Sequence, residues 1–381
     1  MLTTGRRGPA FVSVVAFLSS QLLSVVVVSL IGHSQADLCR WDCNWYRIVL
    51  EGGYDLEPVV GSRSEFANWG IWPALPMLGR LINWLTGIGA PLALVVAGRA
   101  TFAVSIYSFV LFCTAWRPGI SPWIAAMVAA FQPYAIYGNV GYTEPLFLAV
   151  TCTTLILARD GRAVLAGAVA GMGTLVRFPV LYLGPALALR FWLLPLRAGR
   201  LPSPHGLLAV MLAPLGIAFF SLYLAARVGD GLAFFHVQRA WNRGAFDPLG
   251  TLVSGLLEGA TTVVRLPEVM SSAAPLQMLR ELGAHRGYYA VTALAAIFVI
   301  GTLVRRREFD LAVFSLGATL TPLATNLASM PRYVWWQAPL LLCVASAVST
   351  RRWAAIAYFI AAAVATPITY AGWFSNFGFV T

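Results

Sequence analysis

Leu38-Cys39-Arg40-Trp41-Asp42-Cys43-Asn44-Trp45-Tyr46, continuing to Gly52-Gly53-Tyr54, follows the first long apolar run of the chain. Leu38, Trp41, Trp45, Ile48 and Val49 recur at helical spacing, the pattern of an amphipathic helix lying on a bilayer. Asp37 is placed to cap its start, and Gly52-Gly53 to end it. Asp42 then stands between two tryptophans at the edge of the apolar face. Desolvation at a lipid–water boundary tends to raise a carboxyl pKa. A carboxylate there can take a proton from an incoming hydroxyl. The blander alternatives are an acid in the first turn favouring the helix dipole, or an ion-pair partner of Arg40. Cys39 and Cys43 bracket Asp42 and could pair in an oxidising compartment. Pairing across one helical turn is strained, so two free thiols are expected.

Around this stretch the chain is 59% hydrophobic and only 11% charged, with mean hydropathy +0.75. Soluble domains carry roughly 25% charged residues, so this composition belongs to an integral membrane protein. The formal charge is +11, and every basic residue is Arg. The arginines fall in short clusters between apolar runs, the positive-inside pattern, which excludes nucleic-acid binding as their purpose. Cys113, Cys152 and Cys343 lie in apolar runs and read as packing residues. Four histidines are too few for a histidine-rich metal site. No cleavage site follows the first apolar run.

Arg6-Arg7 before that run place the N-terminus in the cytoplasm. Spans are expected at 11–31, 92–115, 121–138, 145–158, 163–176, 178–194, 206–227, 286–304, 309–328, 333–350 and 353–373, about eleven in all. The stretch 71–85 contains Pro73, Pro76 and Arg80 and reads as interfacial or re-entrant. With that choice Arg117, Arg159 with Arg162, Arg197 with Arg200, Arg305-Arg306-Arg307 and Arg351-Arg352 all fall inside; were it to cross, all five would fall outside. The expected architecture is a single all-α polytopic domain over 1–381. It has outer loops at 33–69, including Glu65, and at 228–285. The segment 249–265 is expected to lie along the surface.

The outer face then collects further polar groups. Thr143-Glu144-Pro145 is a helix start with an acid at the positive dipole end; it also offers a second acid to the Asp42 cavity. Arg177, in Thr174-Leu175-Val176-Arg177-Phe178-Pro179, stands where positive-inside does not put arginine. An arginine near a bilayer needs an anion; a phosphate is one candidate and Glu144 the bland one. The stretch from Gly229 to Arg243 is basic and aromatic. It lies flat on the bilayer, or it lines a sugar-phosphate site with His236, Gln238 and Arg239 as hydrogen-bonding groups and Trp241 as a stacking surface. Arg332 in Met330-Pro331-Arg332-Tyr333 is again an outer arginine; the alternative is interfacial anchoring with Tyr333, Trp335 and Trp336.

Taken in order, these motifs resemble the GPI mannosyltransferase 2 (PIG-V) type of membrane glycosyltransferase, of the GT-C class. They are Arg40-Trp41-Asp42, Trp72-Pro73, Tyr142-Thr143-Glu144-Pro145-Leu146-Phe147, Leu175-Val176-Arg177, Gly229-Asp230 through Trp241-x-Arg243, and Met330-x-Arg332-Tyr333. The resemblance runs from about Phe11 to Gln337. It implies a catalytic Asp42, a polyprenyl- or dolichyl-phosphate-linked mannose as donor, and no nucleotide sugar. Small size and short loops are similar to a bacterial relative, in a plasma (inner) membrane with the chemistry facing outside. Cys43 stands where Ser is common in the family.

The expectation is therefore a GT-C-type glycosyltransferase. It would move a hexose from a polyprenyl phosphate to a hydroxyl of a lipid-linked or glycan acceptor, without cofactor or metal. Asp42 and Glu144 are the candidate catalytic acids; Arg40, Arg177, His236, Gln238, Arg239, Trp241, Arg332 and Tyr333 are the candidate substrate-binding residues. A transporter or flippase for a lipid-linked saccharide would use the same cavity without a base, though such proteins usually carry internal repeats and none is visible.

Overall fold

The computed structural model describes residues 8–57, 66–241, 243 and 246–375; Glu65 and the side chain of Trp241 lie outside the described residues. Every regular element described is helical. By length and composition, six helices can cross a membrane: α1 (Pro9–Leu30), α4 (Ala90–Trp116), α8 (Phe178–Arg197), α9 (Pro204–Val228), α11 (Ala284–Arg305) and α15 (Arg352–Ser375). Among the shorter helices are α2 (Asp42–Gly52), α3 (Ala74–Thr86), α5 (Pro122–Ala130), α6 (Glu144–Arg159), α7 (Ala163–Gly173), α10 (Pro248–Val264), α12 (Phe309–Thr325), α13 (Met330–Trp335) and α14 (Ala338–Thr350). The chain is thus an all-helical protein of membrane-spanning composition.

Each break has a local cause. Helix α5 stops before Gln132-Pro133, and a 3₁₀ turn at Ala135–Gly138 bridges to α6, which opens on Glu144-Pro145. Proline is tolerated in the first turn, where its missing N–H has no partner to lose. The stretch 71–85 becomes α3, thirteen residues long. It is not among the six helices long enough to cross, and neither are α5, α6, α7, α12 and α14, which fall in the expected spans 121–138, 145–158, 163–176, 309–328 and 333–350. Helix α8 changes register through a π turn at Leu189–Leu193. There Arg190 reaches Asp310 at 2.8 Å and the Ala158 carbonyl at 2.9 Å. Beside it Arg117 grips both oxygens of Glu308, at 2.5 and 2.7 Å. These pairs tie the ends of α4, α6 and α8 to the start of α12, at the end of the bundle opposite Asp42.

The expected start of the first amphipathic helix needs correction. Helix α2 begins at Asp42, not at Asp37. Asp37 instead closes a capping box with Ser34 on the preceding 3₁₀ turn, Gln35–Leu38. Of the apolar residues expected on one side, Trp41 and Ile48 are exposed, Trp45 is half-buried and Leu38 and Val49 are buried, while Cys43, Tyr46 and Leu50 pack α2 against α3 and α4. Segment 249–265, expected along the surface, forms α10, with Leu249, Leu257, Val263 and Val264 exposed and one face packed antiparallel to the first turns of α11. Glu258 meets Arg286 at 2.6 Å, Thr262 donates to the Leu282 carbonyl, and Gly259 approaches Gly287 backbone to backbone. Small residues allow that close approach.

Candidate functional site

Four chain breaks deliver the site. The non-helical turn before α2 presents Asp42. The turn Gly141-Tyr142-Thr143 leads into Glu144. Arg177 has extended backbone between α7 and the 3₁₀ start of α8. Helix α12 carries Pro322 inside it and ends at Thr325, with Asn326 extended after it; α13 then follows and carries Arg332 and Tyr333. Broken helices leave side chains projecting inward with no continuous helix surface in their way.

These breaks surround a cavity of about 280 Å³. Asp42, Thr143, Arg177, Arg243, Arg332 and Tyr333 supply its polar wall, with Gln238 and Asn326; Trp45, Trp72, Phe178 and Phe234 supply aromatic faces. Arg332 is its hub. Its Nη1 donates to Asp42 Oδ2 at 2.8 Å, and its Nε lies 3.0 Å from Glu144 Oε1. Arg177 Nη1 donates to the same Glu144 oxygen at 2.7 Å. The guanidinium of Arg177 stacks over Tyr333, and that of Arg332 sits among Tyr137, Tyr142 and Tyr333. Both arginines are buried, whereas the Asp42 side chain is 42% exposed into the cavity.

Burial pushes the Asp42 carboxyl up, as expected at a boundary. The nearby Arg332, then Arg243 and Arg177, more than reverse this, and the carboxyl is held below its ordinary value. The expectation of a raised pKa is therefore overturned by the guanidinium at 2.8 Å. Burial also pushes up the Tyr333 phenol, but Arg332, Arg243 and Arg177 bring it down to about 8.

Cys39 and Cys43 form a disulfide, contrary to the expected free thiols. The reason is the late start of α2. Cys39 lies before the helix and Cys43 in its first turn, so the pair does not span a helical turn. The Asp42 N–H donates to the Tyr142 hydroxyl at 3.0 Å, and that hydroxyl donates to the Arg40 carbonyl at 3.3 Å.

The remaining candidates sort by distance. Glu144 is 1% exposed and lies behind the two arginines, outside the cavity lining. Arg40 turns away and donates to the Trp373 and Phe374 carbonyls at 3.2 and 2.9 Å, closing the end of α15. His236 is exposed and held by Asp230 at 2.7 Å, and Arg239 is exposed; neither lines the cavity. Gln238 does line it, accepting from Arg243 Nη1 at 3.3 Å. Arg243 was not among the expected site residues, although it closes the Trp241-x-Arg243 motif. Among the described residues it has no carboxylate within ion-pair distance. Trp45, Tyr46 and Trp72 were missed because an aromatic in an apolar chain gives no local signal of facing a cavity. Among the described residues no cluster of three His, Cys, Asp or Glu side chains is arranged to hold a metal ion.

No protein-family model, curated protein or solved structure matches the chain.

Proposed function

We propose that this protein is a GT-C-type membrane glycosyltransferase that moves a hexose, mannose first among candidates, from a polyprenyl phosphate to an acceptor hydroxyl. The observation that carries the reading is one carboxylate, Asp42, open to a cavity whose other charged walls are Arg177, Arg332 and Arg243. Three guanidinium groups face two carboxylates, Asp42 and Glu144, which leaves one positive charge. A sugar phosphodiester carries one negative charge and neutralises it. Arginine suits this task because its planar fork pairs two phosphate oxygens at once.

In the proposed step the acceptor oxygen attacks the anomeric carbon from the side opposite the phosphate. The carbon–oxygen bond to phosphate breaks and the configuration inverts. Asp42 takes the hydroxyl proton. The negative charge lost at Asp42 reappears on the departing polyprenyl phosphate, so the total charge in the cavity stays constant. The arginines stabilise that developing charge, and the leaving group needs no protonation. Trp45, Trp72 and Phe234 offer flat apolar faces for a sugar ring. A lipid-tailed donor suits a structure whose described residues hold only helices and no soluble nucleotide-binding domain.

The accompanying topology has eleven spans, with the N-terminus cytoplasmic and Asp42 outside. The best-fitting location is a bacterial plasma membrane, with a lipid-linked or surface glycan as acceptor. Membranes with and without this protein, given radiolabelled polyprenyl-phosphate-mannose, should differ by one labelled glycan product. An identical product pattern in both would remove the enzyme reading and leave transport of a lipid-linked saccharide in its place.

A further inference from the structure

The turn that presents Asp42 is held in an unusual way. Trp41 has φ 54° and ψ −119°, a backbone region that a bulky L residue rarely adopts. Such a conformation is strained and persists only where the surroundings over-determine it. The side chain of Trp41 is 40% exposed, so its own packing does not supply the restraint. The neighbours do. The Arg40 guanidinium is tied to the end of α15, and its carbonyl to the Tyr142 hydroxyl. The Cys39–Cys43 bridge closes a covalent ring around Arg40-Trp41-Asp42.

The same bridge seats the opposite wall of the site. Cys43 is fully buried and its sulfur packs on Gly141. Gly141 has φ +73°, and a Cβ there would stand 3.0 Å from both the Cys43 sulfur and the Leu94 backbone. Only glycine meets both demands. The turn carrying Tyr142 and leading into Glu144 therefore rests directly on the disulfide.

We propose that the Cys39–Cys43 disulfide is a positioning device for Asp42, locating its carboxylate against Arg332 and the Tyr142–Glu144 turn; this rests on the reading of Asp42 as the base. Reduction by an external dithiol passes two electrons to the sulfur pair. It yields two cysteine thiols and leaves the dithiol as a cyclic disulfide. The ring around Trp41 opens, the turn relaxes to ordinary backbone angles, and Asp42 moves out of register. The rest of α2 stays anchored through Tyr46, Val49 and Leu50, so the loss falls on turnover rather than on folding.

The first measurement is mass spectrometry after tryptic digestion without reductant. Cleavage after Arg40 separates the two cysteines into different peptides. A disulfide-linked pair is expected, and free thiols at both positions would overturn the proposal. Second, the Cys39→Ser/Cys43→Ser double variant should lose about tenfold to a hundredfold in kcat, the scale of a misplaced catalytic group. The donor KM should stay within about twofold, and the acid limb of kcat/KM should move up towards the ordinary carboxylate value as Asp42 leaves Arg332. Parental kcat would overturn the proposal. Because a variant can misfold, the parental protein is also reduced with dithiothreitol and reoxidised with diamide; activity should fall and return. Unchanged activity after verified reduction rejects the bridge alone. An oxidised parent that transfers no sugar rejects the proposed function and the bridge's role together.

Discussion

Arg332 Nη1 and Asp42 Oδ2 meet at 2.8 Å although 290 residues separate them in the chain. The same guanidinium lies 3.0 Å from Glu144. One buried arginine thus joins an acid open to the cavity and an acid sealed behind it, and the two acids predict opposite responses to mutation.

Asp42→Asn keeps the shape of the side chain and removes its proton affinity. Glycosyl transfer should fall by roughly 10²-fold or more, while the melting temperature in detergent drops only modestly, since the lost pair is part-exposed, 42% at Asp42, and Arg332 keeps Glu144. Asp42→Glu retains the base but displaces it, and should also be slow. Transfer at the parental rate by well-folded Asp42→Asn would sink the general-base scheme.

Glu144→Gln should behave in reverse. Its carboxylate is buried and counters Arg177, whose side chain is 10% exposed. Breaking one partner of a buried pair costs about 3–5 kcal/mol. Expression and melting temperature should drop before turnover per folded molecule does. A stable Glu144→Gln protein with lost turnover would make Glu144 the base in place of Asp42.

Arg243 separates donor binding from folding. It has no carboxylate partner among the described residues and contacts Gln238. Charge-assisted bonds to phosphate are worth roughly 1.5–3 kcal/mol. Arg243→Ala should therefore weaken donor binding by roughly tenfold to a hundredfold, read as KM or as direct binding of the lipid phosphate, with little change in melting. Arg243→Lys should recover only part, because an ammonium cannot pair two oxygens in one plane. Unaltered donor binding in Arg243→Ala would exclude it from the phosphate site.

Two titrations follow from the arginines. Asp42 is held below its usual 3.8 by Arg332 despite burial. Its folded pKa is depressed, so its contribution to stability is present above the unfolded value and lost as pH falls through the folded one. The acid limb of kcat/KM, which reports the free enzyme, should lie below 3.8. Tyr333 should show a tyrosinate absorbance step with a midpoint of about 8, absent in Tyr333→Phe. A bound phosphodiester competes for the same guanidinium groups and should move that midpoint upward. A step that ignores the phosphodiester would separate the phosphate from these arginines.

Topology can be checked in intact cells with an impermeant thiol reagent on a background lacking the free cysteines. Asp160→Cys should be protected and Phe246→Cys labelled. Phe246 is 80% exposed and close to the cavity end of the bundle. Labelling of Asp160→Cys from outside would reverse the proposed orientation.

Some of this was legible in the chain alone. Apolar runs too long and too uncharged for a soluble core determined the membrane class. Glu144-Pro145 marked a helix start, Gly52-Gly53 a helix end, and the Pro-containing stretch at 71–85 a short helix. These are signals of hydrophobic transfer and backbone capping, which act within a few residues. Tertiary structure decided the rest. Whether Asp42 or Glu144 opens to the cavity depends on which side of Arg332 each lands, and nothing near either acid encodes that. The direction of the Asp42 shift was misjudged because burial was visible in sequence and the compensating charge, 290 residues away, was not. Arg40, His236 and Arg239 lie outside the cavity lining, Arg40 bonded to the end of α15 and His236 to Asp230. The disulfide depended on where α2 begins, and that start is set by Tyr142, Gly141 and the end of α15, contacts that exist only once the bundle has folded.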